Sequence, residues 1–280
     1  VSGAEFAVGA SVLLAVFGLA IGSFLNVVAY RVPLGLSVVS PPSACPGCHS
    51  QIEPRDNVPL LSWVLLRGKC RHCAEPISPR YLVVEAITGA LFVAVALAML
   101  PAVLGAATAP AAVSGALALV AFLYLAAISV ALSAIDIDVQ KLPNRIVLPS
   151  YIVGAVLLGA AALVGGDPVA LGRAAAGAGI LVAFYLVLAI AKPGGMGMGD
   201  VKLAGVIGLY LGYLGWGQLV VGAMGAFILG GLFGIAVLIA RRGKGGRAIP
   251  FGPWMLAGAW VGIFAGEQIT GAYLAAVGLS

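Results

Sequence analysis

Charge is scarce in this chain. Only 9% of its 280 residues are Asp, Glu, Lys or Arg, where a soluble domain carries about 25%. The apolar set that includes Ala, Cys and the aromatics supplies 62%. A soluble core of that composition could not cover its own surface, so a water-soluble globular fold is excluded. Disorder is excluded as well, because it requires low hydrophobicity and high charge. Four cysteines are too few for a disulfide-stapled secreted scaffold. The two histidines lie outside every apolar run, which removes a Ser/His or Cys/His nucleophile within a membrane. No P-loop or dinucleotide fingerprint is present. Glycine, by contrast, is abundant at 40 residues, and with many alanines it suits helices that approach backbone to backbone in lipid.

A helix crossing the hydrocarbon layer needs about 20 mostly apolar residues. Eight stretches qualify as candidates: Phe6–Ala29, Leu82–Leu104, Val113–Ile135, Ile146–Val164, Leu171–Ala191, Val201–Leu214, Gln218–Ala240 and Trp254–Tyr273. The sixth is short and reads as a tilted or half-length span. The expected fold is an all-α polytopic membrane protein of about eight transmembrane helices. Eight alternating spans put both termini on one side. Every Lys and Arg except Arg173 then falls in, or at the rim of, the loops after spans 1, 3, 5 and 7. Positive residues are retained in the cytoplasm, so those loops are expected to be cytoplasmic and both termini to face outward. The net charge of +5 thus reports topology, and no nucleic-acid partner is expected. Only Glu5 precedes the first span, so no basic n-region of a cleavable signal peptide is expected.

Residues 30–81 form one long insertion between spans 1 and 2, and they hold all four cysteines. Cys45-Pro46-Gly47-Cys48 and Cys70-Arg71-His72-Cys73 are two Cys-x-x-Cys knuckles separated by a loop, the spacing of a closed structural zinc site. A cytoplasmic position disfavours disulfides. Arg71 and Lys69 are expected to offset the tetrathiolate's negative charge, while His49 and His72 read as exposed loop histidines. Four thiolates leave no open position for substrate, so catalysis must come from elsewhere.

Ten acidic residues are few enough to audit singly. Glu5 and Asp167 fall on the outer side, Glu53, Asp56 and Glu75 in the cysteine loop, Glu85 one turn inside span 2, and Glu267 deep in the last span. Asp136 and Asp138 end span 3 before the turn Val139-Gln140-Lys141-Leu142-Pro143-Asn144. Asp200 follows the glycine run Gly194-Gly195-Met196-Gly197-Met198-Gly199 and precedes span 6, at the same membrane face. Glycine permits close backbone approach there, and irregular backbone is tolerated at membrane depth only inside a protein-lined cavity. Two carboxylates held close cannot both ionise, so one keeps a proton while the other activates water.

With these residues in view, the chain resembles the type IV prepilin peptidases, the bifunctional leader peptidase and N-methyltransferase family of GxGD-type aspartic proteases. The resemblance rests on Gly22-Ser23-Phe24-Leu25-Asn26 with Tyr30-Arg31 and Pro33; the knuckle loop with Asp56-Asn57-Val58-Pro59, Leu61-Ser62-Trp63 and Leu66-Arg67-Gly68-Lys69; Pro76-Ile77-Ser78 with Arg80-Tyr81; Asp136 with Leu142-Pro143-Asn144; Gly197-Met198-Gly199-Asp200 with Lys202-Leu203; and Ile249-Pro250-Phe251-Gly252-Pro253. It implies cleavage of prepilin or pseudopilin leaders after glycine at the cytoplasmic face of the inner membrane. It implies Asp136, rather than Asp138, and Asp200 as the catalytic pair, with Gly197 and Gly199 in the active-site loop and Cys45, Cys48, Cys70 and Cys73 as zinc ligands. It further implies N-methylation of the new terminus from S-adenosylmethionine, with no local signature placing that cofactor. The expected divisions are a first transmembrane helix (1–29), a four-cysteine zinc-binding domain (30–81) and a seven-helix aspartic peptidase membrane domain (82–280). The partners are a hydrophobic prepilin helix and membrane lipid, with Glu53, Asp56 and Glu75 available to a basic leader. The competing readings are an ion-coupled transporter or channel, which would show repeat symmetry and a broken helix pair, and a zinc-dependent membrane hydrolase.

Overall fold

The computed structural model describes residues 3–240 apart from Pro193, and residues 249–279, with side chains from residue 7. Arg241, Arg242, Lys244 and Arg247, which the charge argument assigns to the loop after span 7, lie outside the described residues, as does the side chain of Glu5. Among the described residues there are no strands. Eight long helices follow the eight apolar stretches: α1 (Gly3–Arg31), α3 (Arg80–Leu104), α4 (Ala109–Val139), α5 (Asn144–Gly165), α6 (Pro168–Ala191), α7 (Met198–Leu214), α8 (Trp216–Ala240) and α9 (Gly252–Ala276). A short helix α2 (Leu61–Leu65) lies in the cysteine loop. Helix starts use ordinary signals. Proline occupies the first turn of α4, α6 and α9, and the side chains of Thr108 and Asp167 accept N–H groups at the starts of α4 and α6, which satisfies donors that a helix leaves unpaired.

Six of the eight, α1, α3, α4, α5, α6 and α8, are long and apolar enough to cross a membrane. The expectation of about eight spans therefore divides. Helix α7 has 17 residues, a rise of about 26 Å against a hydrocarbon layer of about 30 Å. Its residues are also the wrong ones for lipid contact, because Val201, Leu203–Ile207, Tyr210 and Leu211 are buried. It is a central helix, packed on α5, α6, α8 and α9. Helix α9 is long enough, but Trp254, several glycines and the Glu267-Gln268 pair lower its apolarity.

Successive helices pair as α1 with α3, α4 with α5, α6 with α7, and α8 with α9, and α4 and α7 join the pairs. The core lies between these two, where Phe122 and Tyr210 meet edge to face with ring centroids 5.4 Å apart. Helices α6 and α7 touch through backbone: a Cβ on Gly208 would collide with the carbonyl of Gly177. Small residues at such crossings let dispersion contacts replace the hydrophobic driving force that lipid does not provide.

The cysteine loop is tied to its two roots. Glu85, buried in the first turns of α3, accepts the N–H of Leu60 at 2.8 Å, and Asn26 of α1 donates to the carbonyl of Tyr81 at 3.2 Å. Trp63 donates its indole N–H to the carbonyl of Ile77 at 3.2 Å, closing the loop upon itself. An unpaired carboxylate buried here would be costly, and the loop backbone supplies its partner.

Candidate active site and metal-binding loop

Helix α4 runs past the end expected for span 3 and carries Asp136 and Asp138 within its last turns. Two residues apart on a helix, their side chains leave in nearly opposite directions. Asp136 turns inward, is 5% exposed, and accepts the N–H of Gly252 at 3.0 Å. Asp138 pairs outward with Arg80, both side chains being more than a third exposed.

Asp200 sits at the third position of α7. Its Oδ2 accepts the N–H of Gly197 at 3.1 Å, so the carboxylate caps its own helix. The preceding segment through Gly197 is non-helical, as the glycine run requires. Asp136 and Asp200 line one cleft of about 490 Å³, together with Val32, Pro33, the 140–145 turn, Gly197, Gly199 and Lys202.

Two glycines allow this arrangement through close approach. A Cβ on Gly252 would stand 2.7 Å from Asp136 Oδ2, and one on Gly199 would stand 3.0 Å from Leu142 Cβ. The first lets a main-chain donor reach the carboxylate; the second lets the start of α7 lie against the turn that follows Asp136. Gly252 was legible only as part of the Ile249–Pro253 pattern, since its partner is 116 residues away. Lys202, whose ammonium donates to Asn144 Oδ1 at 3.1 Å, was likewise legible only as part of the Gly197–Leu203 pattern, with no sign of its partner.

At the root of α1 the chain enters the cysteine loop, so the acid cleft and the loop share one end of the bundle. The two knuckles have the same local form. The N–H groups of His49 and Ala74, both at left-handed φ, return to the carbonyls of Cys45 and Cys70. The N–H groups of Cys45 and Cys70 donate to Ser50 and Glu75. The four Sγ atoms lie within 4.8 Å of one another, with Cys45 and Cys73 at 3.6 Å and Cys48 and Cys70 at 4.0 Å. A tetrahedral zinc with Zn–S of about 2.3 Å sets its sulfurs about 3.8 Å apart. The set is therefore compatible with zinc.

Thiol chemistry agrees with that fit. Hydrogen bonds from the Ser50 side chain and backbone hold the Cys48 thiol down to about 6, and the backbone N–H groups of Cys73 and His72 lower Cys70. The N–H of Glu75 pulls in the same direction on Cys73, but burial and the three other sulfurs push it up to about 12. Some of the thiols ionise readily while the cluster resists full ionisation, which is the electrostatic condition a divalent cation relieves. His49 and His72 are exposed and outside the sulfur cluster.

The ion pairs of this loop add detail to two expectations. Arg71 grips Asp56 through Nε and Nη2, and this guanidinium holds the Asp56 carboxyl below its usual range. Asp56 is thus already engaged, and Glu53 pairs with Arg55 at 2.7 Å, which leaves Glu75 the least committed of the three acids offered to a basic leader.

Comparison with known proteins agrees with the geometry. Residues 16–99 match the family described as Bacterial Peptidase A24 N-terminal domain, which takes in the second half of α1, the cysteine loop and most of α3. Residues 123–235 match the type IV leader peptidase family. A prepilin leader peptidase/N-methyltransferase of Aeromonas hydrophila is 36% identical, covering 94% of this chain and 93% of its own length. Proteins of the same name from Pseudomonas aeruginosa and Bacillus subtilis are each 32% identical, covering 92% and 94% of this chain and 91% and 97% of their own lengths. No solved structure matches. Two family matches that together take in the cysteine loop and both aspartates, and relatives that align almost end to end, place this multi-span chain in the type IV leader peptidase family.

Proposed function

We propose that the chain cleaves the leader from prepilin or pseudopilin precursors, after glycine, at the cytoplasmic face of the inner membrane, and that Asp136 and Asp200 are the catalytic pair. The observation that carries this reading is that two acids 64 positions apart in sequence line one cleft, whereas neighbouring Asp138 turns away to Arg80. The named activity of the near full-length relatives supports the substrate class. A cleft at the cytoplasmic rim meets the scissile bond of a membrane-embedded helix without extracting that helix. The charge distribution supports the orientation, with both termini outward.

In this mechanism one carboxylate takes a proton from a water molecule that attacks the scissile carbonyl, and the other, protonated, hydrogen-bonds the carbonyl oxygen. The amine then leaves with a proton returned by the pair. The N–H groups of Gly252 and Gly197 each hold one carboxylate oxygen and so fix which oxygens remain free. The four-cysteine loop is a zinc-stabilised domain over residues 30–81 that frames the cleft through Val32 and Pro33, and residues 82–280 form the peptidase membrane domain after the 1–29 helix.

The same relatives are named N-methyltransferases, and methylation of the new N-terminus belongs to the proposed activity, with S-adenosylmethionine supplying the methyl group when bound. The apolar cavity of about 280 Å³ between α1 and α3 has Ser11 as its one polar lining residue and does not fit that charged sulfonium compound. No residue is assigned to hold it.

The test is incubation of purified protein with a prepilin-like peptide bearing a Gly-Phe junction. Asp136→Asn and Asp200→Asn abolish cleavage and Asp138→Asn retains it. Unchanged cleavage by either of the first two sinks the pair, and loss in Asp138→Asn alone moves the first acid by two residues.

A further inference from the structure

The two acids stand on different helices, so something must set the distance between them. Asp136 is in the last turns of α4, and the chain then turns through Gln140, at left-handed φ, into α5 at Asn144. Asp200 is in the first turn of α7. No covalent path shorter than 64 residues joins them. Three contacts tie the α4–α5 turn and α5 to the first turn of α7. Leu142 packs against Gly199. Asn144 Oδ1 accepts from Lys202 Nζ at 3.1 Å. Tyr151 Oη, further along α5, donates to the carbonyl of Lys202 at 2.6 Å. Lys202 is therefore held at both ends, side chain and main chain, by α5, and both Asn144 and Lys202 line the acid cleft.

The chemistry of the pair suits a strap rather than a solvated charge. An ammonium donating to an amide oxygen forms a charge-assisted hydrogen bond, and Lys202 is half-buried. A neutral residue of equal length at 202 would keep the packing and lose the tie. Glycine at 199 makes the tie necessary: it admits Leu142 closely but contributes no side chain to hold the turn.

We infer that Lys202, through Asn144 and Tyr151, is a positioning residue that fixes the separation of Asp136 and Asp200. This rests on the acid-pair reading of the cleft. Relaxing the strap lets the α4–α5 turn and α7 drift by a fraction of an ångström to about one ångström, and misplacement on that scale costs up to about a hundredfold in rate. Substrate binding, which spans a far larger surface, changes little.

The experiment is cleavage kinetics of a Gly-Phe prepilin peptide by the full-length protein in detergent, for Lys202→Met, Asn144→Ala, the double variant and Lys202→Arg. Each single variant is expected to lower kcat by about tenfold or more, with KM within about twofold of the parent. The double is expected to be no worse than the poorer single, since both remove one interaction, and Lys202→Arg to recover most of the rate. Helical circular dichroism and the unfolding midpoint are followed in parallel. Tyr151→Phe, which removes only the hydrogen bond to the Lys202 carbonyl, serves if Lys202→Met does not fold. Multiplying losses in the double, a KM increase at constant kcat, or full activity of Lys202→Met each overturns the inference. Asp136→Asn and Asp200→Asn run alongside separate the outcomes: if they stay active the acid pair itself fails, and if they are dead while Lys202→Met is unaffected only the strap fails.

Discussion

Gly252→Ala tests the acid site without touching either carboxylate. Gly252 is the first residue of α9 and its φ is negative, so alanine meets no left-handed backbone there. Global stability should fall only modestly, by about 1–3 kcal/mol for the hydrogen bond lost at the buried carboxylate. The new methyl group, however, would stand 2.7 Å from Asp136 Oδ2 and 3.3 Å from its Cγ, while the other neighbouring residue, Leu142, is at an ordinary 3.4 Å through Cδ2. The carboxylate must therefore give, by roughly 0.5 Å to reach a tolerable carbon–oxygen separation. That movement stretches the Gly252 N–H···Oδ2 bond from 3.0 Å to about 3.5 Å, beyond the useful range for N–H···O bonds. Asp136 then loses its main-chain anchor and shifts within the cleft. Cleavage of a Gly-Phe peptide should fall about tenfold to a hundredfold in kcat, with KM within about twofold and an unfolding midpoint lowered by only a few degrees. Gly231→Ala on α8 is the matched control, because a methyl group there meets nothing within 4 Å, and it should cleave normally. A Gly252→Ala protein that cleaves at the parent rate refutes the placement of Asp136 in the chemistry.

The cysteine loop, its anchor and the helix packing give further expectations. Metal analysis should find one zinc per chain, reduced in Cys48→Ser; chelation should slow cleavage only as fast as zinc leaves, and inactivation ahead of metal release would put the metal in the reaction. Because Arg71 lowers the folded-state carboxyl of Asp56, the pairing stabilises the loop above the ordinary carboxyl range of about 3.9 and loses that effect as pH falls through the lowered folded value. Arg71→Gln should return the Asp56 titration, followed by carboxyl NMR, to the ordinary range, and an unchanged titration would count against the pair. Gly208→Leu should prevent α6 and α7 from closing, since even a Cβ there collides with Gly177; the expected loss exceeds about 4 kcal/mol, read as absence of folded protein in detergent, and normal thermal unfolding would contradict the crossing.

The helices were legible because lipid imposes one pattern, an uninterrupted apolar run, and each run reappears as a helix. The boundaries were not, and for one reason. Excluding charge and proline from a span trims its ends, whereas α4 begins at Ala109 with Pro110 in its first turn and continues through Asp136 and Asp138 to Val139. That extra turn decides which aspartate faces inward, since helical geometry sends residues two apart to opposite sides, and no count of apolar residues contains it. The sulfur cluster was legible from spacing, because a knuckle brings its two cysteines together locally. The fate of Arg71 was not, because Asp56 competes for it from 15 positions away. Glycine is the sharpest case. Beyond the run before Asp200, the sequence does not tell one of its 40 glycines from another by chemistry, yet a methyl group on Gly231 would meet open space and one on Gly252 would meet the carboxylate of Asp136. What a glycine makes room for is a property of its partner, and the partner of Gly252 is set by α9 returning against α4 after the whole bundle has formed. The acids could therefore be nominated one by one from their scarcity, but the main-chain N–H that holds Asp136 becomes visible only in three dimensions.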